Sequence, residues 1–98
     1  MYAATVRLRI DPARAPAAAE AFSKDILPRV TSAKGFVQGY WLDPVDGEGF
    51  GFVLFETEEQ ARRAMPPAAD WSAPGVTILG VEVARVAVAV PELRSSGE

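Results

Sequence analysis

Residues 2–10 show an alternation of apolar and polar side chains, which is clearest from Ala4 onward. Arg7 and Arg9 lie on the polar side, and the apolar side consists of Ala4, Val6, Leu8 and Ile10. A period of two is typical of a strand that buries one face and exposes the other. The pattern therefore predicts a β-strand over residues 2–10, ended by Asp11 and Pro12.

After Pro12 the spacing of the apolar residues changes from two to three and four. The recurring positions are Ala15, Ala18, Ala19, Phe22, Ile26 and Val30. This spacing predicts an amphipathic helix from residue 13 to about residue 33, with Pro16 in its first turn, where proline is tolerated. Pro28 falls in the interior and removes a hydrogen bond, so we expect a bend or an early end there.

Two aromatic-rich runs in the middle of the chain predict strands over residues 36–43 and 49–56. The segment between them contains Asp46-Gly47, a pair typical of tight hairpin turns. The turn also carries acidic side chains, but their spacing does not fit a calcium-binding loop. We therefore predict a hairpin and no metal site.

A second helix is predicted after the hairpin. Thr57 and Gln60 have the spacing of a capping box, in which each side chain satisfies a free backbone N–H near the helix start, so the helix should begin at Glu58. It should be short, because the residue before a proline avoids helical dihedrals and Met65 precedes Pro66.

The last apolar run, residues 76–90, is rich in valine and is predicted to form a strand that Pro91 stops. A strand of this length outruns its neighbours, so it should either bend at Gly80 or leave an edge open to another chain. Residues 92–98 are polar and are expected to be disordered.

The order strand, helix, two strands, helix, strand is that of a ferredoxin-like β-α-β-β-α-β fold. We therefore predict the α+β class, with an antiparallel sheet and two helices on one of its faces. A chain of 98 residues with 49% apolar content is suited to a single core, so residues 1–91 should form one domain.

Several segments resemble the dimeric α+β barrel superfamily, which includes antibiotic-biosynthesis monooxygenase-like proteins. They are VRLRI followed by DP, then SAKGFVQGYWL, the acidic hairpin turn, and FETEEQARRA. The resemblance implies that two such sheets pack face to face into a barrel, often with exchange of carboxy-terminal strands. It also implies a homodimer, and its motifs mark the fold rather than one activity.

The composition excludes several kinds of chemistry. The chain has no Cys, no His and no Asn, which removes thiolate catalysis, cysteine zinc sites and histidine-based triads. A net charge of -3 disfavours a nucleic-acid partner. We see neither a secretory signal nor a membrane span, so a cytoplasmic protein is expected.

Within the superfamily, the haem-degrading members resemble one another in an Asn, Trp and His set, of which only the Trp has a match here, Trp71. Cofactor-free oxygenases fit better, because the substrate supplies the electrons and the protein supplies a dry pocket with a few polar groups. We expect neither a cofactor nor a metal. We do expect a small apolar or aromatic ligand. The candidate pocket residues are Trp71, Tyr40, Phe22 and Arg7, with no catalytic residue assigned.

Two functions stay open at this point: a cofactor-independent monooxygenase acting on a phenolic or other aromatic substrate, and a non-catalytic dimeric binding or structural module. In the second, the aromatic residues are core, as is common beneath helices. Parity places Phe36 on the same face of its strand as Tyr40, and Trp41 on the other. Arg7 and Arg9 are expected beside the last strand, with Glu82 as the simplest ion-pair partner.

The substitution Trp71→Ala separates the two functions. If Trp71 lines a pocket, the variant should bind aromatic ligands more weakly and keep most of its stability. If Trp71 is core, its truncation should cost about 3 to 5 kcal/mol of unfolding free energy. Ligand titration and chemical denaturation of the same preparation measure both, and a variant unchanged in both would contradict either role.

Overall fold

This computed structural model describes residues 1–65 and 75–91. Within these ranges the strands form one antiparallel sheet. Its order is β2-β3-β1-β4, which is the ferredoxin-like arrangement. In these parts the strands are β1 (Tyr2–Ile10), β2 (Phe36–Val45), β3 (Glu48–Phe55) and β4 (Val76–Arg85). The predicted α+β class and strand order are confirmed.

The first helical segment contains three kinds of helical turn. A 3-10 turn (Pro12–Arg14) leads into α1 (Ala15–Ala21), a π-helical turn (Phe22–Ile26) and α2 (Leu27–Thr31). Within the π turn, the Leu27 N–H donates to the carbonyl of Phe22, five residues earlier. Of the bend or early end expected at Pro28, the early end does not occur: α2 continues to Thr31, because this wider turn eases the contact between the proline ring and the preceding carbonyls.

The hairpin turn is the one that Asp46-Gly47 predicted. Asp46 has a φ of 53° and Gly47 a φ of 81°, as a two-residue turn of the primed type requires. The two strands run closer to the turn than expected, since β2 continues to Val45 and β3 begins at Glu48. The Ile10 N–H donates to the Gly47 carbonyl at 2.7 Å, which ties the turn to the end of β1.

The predicted capping box opens α3 (Glu58–Ala64). The Gln60 N–H donates to the Thr57 hydroxyl at 3.2 Å, and the Thr57 N–H donates to the Gln60 side-chain oxygen at 3.1 Å. No helix in the described ranges combines the length and apolar character needed to cross a bilayer.

The core lies between the sheet and the helices. It is built from side chains of β1, β3 and both helical segments, and its members are Ala4, Val6, Val30, Val53, Phe55, Ala61 and Met65. Phe55 is completely buried and meets Phe36 edge to face, with ring centroids 6.2 Å apart. We call this side of the sheet the helix face and the opposite side the open face.

Register shifts interrupt the pairing of the strands, and one of them changes a predicted strand feature. At Val37 the register of β2 against β3 shifts, so that Phe36 lies opposite Phe55 on the helix face. The expectation that Phe36 shares a face with Tyr40 is therefore wrong, because an extra residue in a strand reverses parity. A second shift lies between Arg7 and Leu8 of β1, where β4 passes from Gly80 to Ile78.

The last strand is shorter than the predicted 76–90. Regular pairing ends at Arg85, and one further bond joins the Val86 N–H to the Met1 carbonyl at 3.0 Å. Beyond it, Val88 and Val90 are 77% and 87% exposed. Residues 92–98, expected to be disordered, lie outside the described residues, and the single domain over 1–91 stays a prediction.

Candidate ligand-binding site

An indole lies flat on the helix face of the β2–β3 hairpin. Trp41 pairs with Gly51 across the two strands, and Gly39 lies two positions before it on β2. A Cβ atom at Gly39 would come within 2.6 Å of the Trp41 ring, and one at Gly51 within 2.9 Å. The two glycines are therefore what allows the ring to rest directly on the backbone of both strands.

Phe22 meets the same indole from the helical side. Its ring centroid is 5.6 Å from that of Trp41, and the two planes are inclined by 64°, an edge-to-face arrangement. Phe22 is the first residue of the π-helical turn, and both rings are only partly buried. The two rings and the glycine backbone beneath them form what we call the indole platform: Phe22, Gly39, Trp41 and Gly51.

The structure describes three of the four predicted pocket residues and places them on two different faces of the sheet. Phe22 lies on the helix face, in the indole platform. Tyr40 pairs with Phe52 and Arg7 with Phe50, which puts both of their side chains on the open face. Trp71 lies outside the described residues. Phe22 therefore lines no common cavity with Tyr40 or Arg7 within one copy of the chain, and the ligand-binding roles stay predictions.

Arg7 extends over the last strand. A Cβ atom at Gly80 would lie 3.9 Å from a terminal nitrogen of the Arg7 guanidinium. In the described part of the chain Arg7 forms no ion pair, whereas Arg9 pairs with Glu48 at 3.9 Å. The ion pair expected with Glu82 is not observed, because β4 places Glu82 opposite Thr5.

Tyr40 is the most polar of the aromatic groups on the open face. It is 54% exposed, and the Gln38 side-chain amide donates a hydrogen bond to its hydroxyl. Leu42 and Phe50 beside it are 62% and 36% exposed. Within residues 1–65 and 75–91, this part of the open face is an exposed, largely apolar surface.

Other polar groups collect at the end of β1. A wide cleft of about 500 Å³ is lined there by Arg9, Ile10, Asp11, Pro12, Arg14, Gly75, Val76 and Thr77. Of the predicted pocket residues that the structure describes, Phe22, Tyr40 and Arg7 do not line it. Across residues 1–65 and 75–91, no three acidic side chains come together as a metal site would need.

Sequence reasoning passed over Trp41 as a site residue. The sequence did contain a signal: Gly39 and Trp41 are two positions apart on a strand and therefore lie on the same face. The decisive partner, Gly51, is visible only when the register of the hairpin is known.

Two solved structures resemble this one over almost its whole length. The cofactor-independent oxygenase SnoaB from Streptomyces nogalater, solved as a substituted variant, is 17% identical with a TM-score of 0.65, covering 93% of this chain and 97% of its own. A variant of MhuD, with two manganese protoporphyrin IX molecules bound per active site, is 16% identical with a TM-score of 0.65, covering 94% and 100%. No family model and no curated protein sequence matches the chain.

The chain shares the α+β fold of these two solved structures. This confirms the resemblance to antibiotic-biosynthesis monooxygenase-like proteins at the level of the fold. At such low identity the likeness concerns the backbone arrangement, and one fold serves many activities.

The substitution Gly51→Ala tests the indole platform. The new methyl group would displace the Trp41 ring, so we expect a loss of about 1 to 3 kcal/mol of unfolding free energy and a changed near-ultraviolet circular dichroism spectrum. Gly80→Ala is the matched control: its Cβ would meet only the flexible Arg7 side chain, at ordinary contact distance. Equal stability of the two variants in urea denaturation would contradict this packing.

Proposed function

We propose that this protein binds a small planar aromatic molecule between its sheet and its helices, and that it acts as a cofactor-independent monooxygenase on a phenolic substrate. The observation that carries the proposal is the indole platform. It presents two aromatic rings, both partly exposed, on a floor of bare backbone between the sheet and the first helical segment. Aromatic walls with few polar groups suit a planar phenol.

The proposed reaction needs no bound redox group. Oxidation of a phenol to a quinone consumes one O₂, places one of its oxygen atoms on the ring and releases the other as water. The substrate therefore supplies all the electrons, and the protein supplies orientation and exclusion of water. The likeness in fold to SnoaB, a cofactor-independent oxygenase, makes this reaction class the first to test.

A non-catalytic binding module is the second candidate, and the composition favours it. The chain has no His, the commonest general base. The polar groups first considered for the pocket, Tyr40 and Arg7, lie on the face away from Phe22. In this alternative the ligand binds at the same place without reacting with oxygen.

We further propose a homodimer in which the open faces of two copies pack together. Three observations support it: the apolar surface around Leu42, the edge position of β4, and the exposed valines that continue beyond Arg85. An exposed apolar surface of this kind on a small protein commonly marks an interface. The dimer would cover Tyr40 and Arg7 and leave the helix face available to ligand.

Truncation of one aromatic residue on each face locates the ligand. With 2-naphthol as the probe, Phe22→Ala should weaken binding about tenfold, because it removes one wall of the platform, whereas Tyr40→Ala should leave affinity nearly unchanged. Fluorescence titration of 2-naphthol measures both. A loss confined to Tyr40→Ala would place the ligand on the open face and contradict the proposal.

Oxygen consumption distinguishes the enzyme from the binding module. An oxygen electrode should record uptake when wild-type protein meets a phenol that it binds, with a quinone as product. Binding without uptake across a panel of phenols would reject the monooxygenase and retain the binding module.

A substitution that introduces a charged side chain on the open face tests the proposed dimer. Leu42→Asp should convert the dimer to a monomer, because an unpaired carboxylate within an apolar interface is strongly unfavourable. Ala17→Asp, on the exposed surface of α1, is the matched control and should stay dimeric. Light scattering coupled to size exclusion gives the mass of each, and a monomeric wild type would contradict the interface.

A further inference from the structure

We propose that Trp41 is the specificity-determining residue of the ligand site, and that its indole limits the number of fused rings that a ligand can have. The inference rests on the proposed function, since it assumes that a planar aromatic ligand binds between the sheet and the helices. It goes further by assigning the size limit to one side chain, on β2.

The position of the Trp41 ring is fixed by the backbone beneath it. The edge of the ring that carries Cη2 lies over Gly39, and the edge that carries Cδ1 and Nε1 lies over Gly51. The indole therefore spans from one strand to the next. At this point of the helix face, the surface that a ligand meets is the indole rather than the sheet.

The helical side allows the ring little freedom. Phe22 contacts it edge-on, with 5.6 Å between the ring centroids, and the π turn that begins at Phe22 continues directly into α2. Core residues of the same sheet face, such as Val53 and Phe55, are at most 1% exposed, whereas Phe22 and Trp41 are partly exposed. The two rings thus stand at the border between the closed core and accessible space.

The indole itself sets the size of the space that a smaller residue at position 41 would open. Removal of the indole would leave a flat slot about as large as two fused rings, with glycine backbone as its floor and Phe22 at its side. No other side chain on the floor fills that slot, because Gly39 and Gly51 have none. A smaller residue at position 41 should therefore admit a ligand with more fused rings. The affinity for a small phenol should change little.

A ring-size series tests the assignment. The probes are phenol, 2-naphthol and 2-hydroxyanthracene, each titrated with the purified protein and followed by its own fluorescence. For Trp41→Ala, we expect the affinity for 2-hydroxyanthracene relative to phenol to rise by about tenfold or more over the wild-type ratio. Trp41→Phe should give an intermediate ratio and disturbs the fold less, so it keeps the test decisive if Trp41→Ala fails to fold.

The control is Gly80→Ala, whose added methyl group lies on the open face and should leave the ratio unchanged. Suppose that the wild type binds phenols but the folded Trp41 variants have the same ratio of 2-hydroxyanthracene affinity to phenol affinity as the wild type. That result would overturn the assignment and leave the proposed function standing. If the wild type binds none of the three phenols, the proposed function fails and this inference fails with it. A raised ratio in Gly80→Ala as well would also overturn it, since the effect would not belong to position 41.

Discussion

In the described parts of the chain the helices pack on one face of the sheet, and this asymmetry determines how most strand side chains are used. Alternate residues of β1 point into the core or onto the open face, so Val6 is buried while its neighbour Arg7 is exposed. The same division separates Trp41 from Tyr40, which are adjacent in sequence. Under the proposed function, Trp41 faces a ligand beneath the helices and Tyr40 faces a second copy of the chain.

Structural features that depend on a short local motif were predicted well. Asp46-Gly47 specified a hairpin because few residues adopt two consecutive positive φ angles, and Thr57 with Gln60 specified a helix start because both satisfy free backbone donors. The order of the elements then limited the topology to a few choices. For these reasons the fold followed from the sequence with little ambiguity.

Features that depend on the meeting of two segments were not predictable in the same way. The bulge at Val37 placed Phe36 on the face of the sheet opposite to the predicted one. No residue type at this point of the sequence predicts a bulge. The π turn ahead of Pro28 replaced the expected early end, because a helix can widen as well as stop. Trp41 required the register of the hairpin, since Gly51 lies ten positions away and supports the ring only when the strands pair.

The central claim is that a planar aromatic ligand binds against the indole platform, between the sheet and the helices. The most direct test is a crystal structure of the protein with 2-naphthol bound. The account predicts ligand density in contact with both Phe22 and Trp41 on the helix face. Density confined to the open face beside Tyr40, or to the cleft at the end of β1, would contradict it.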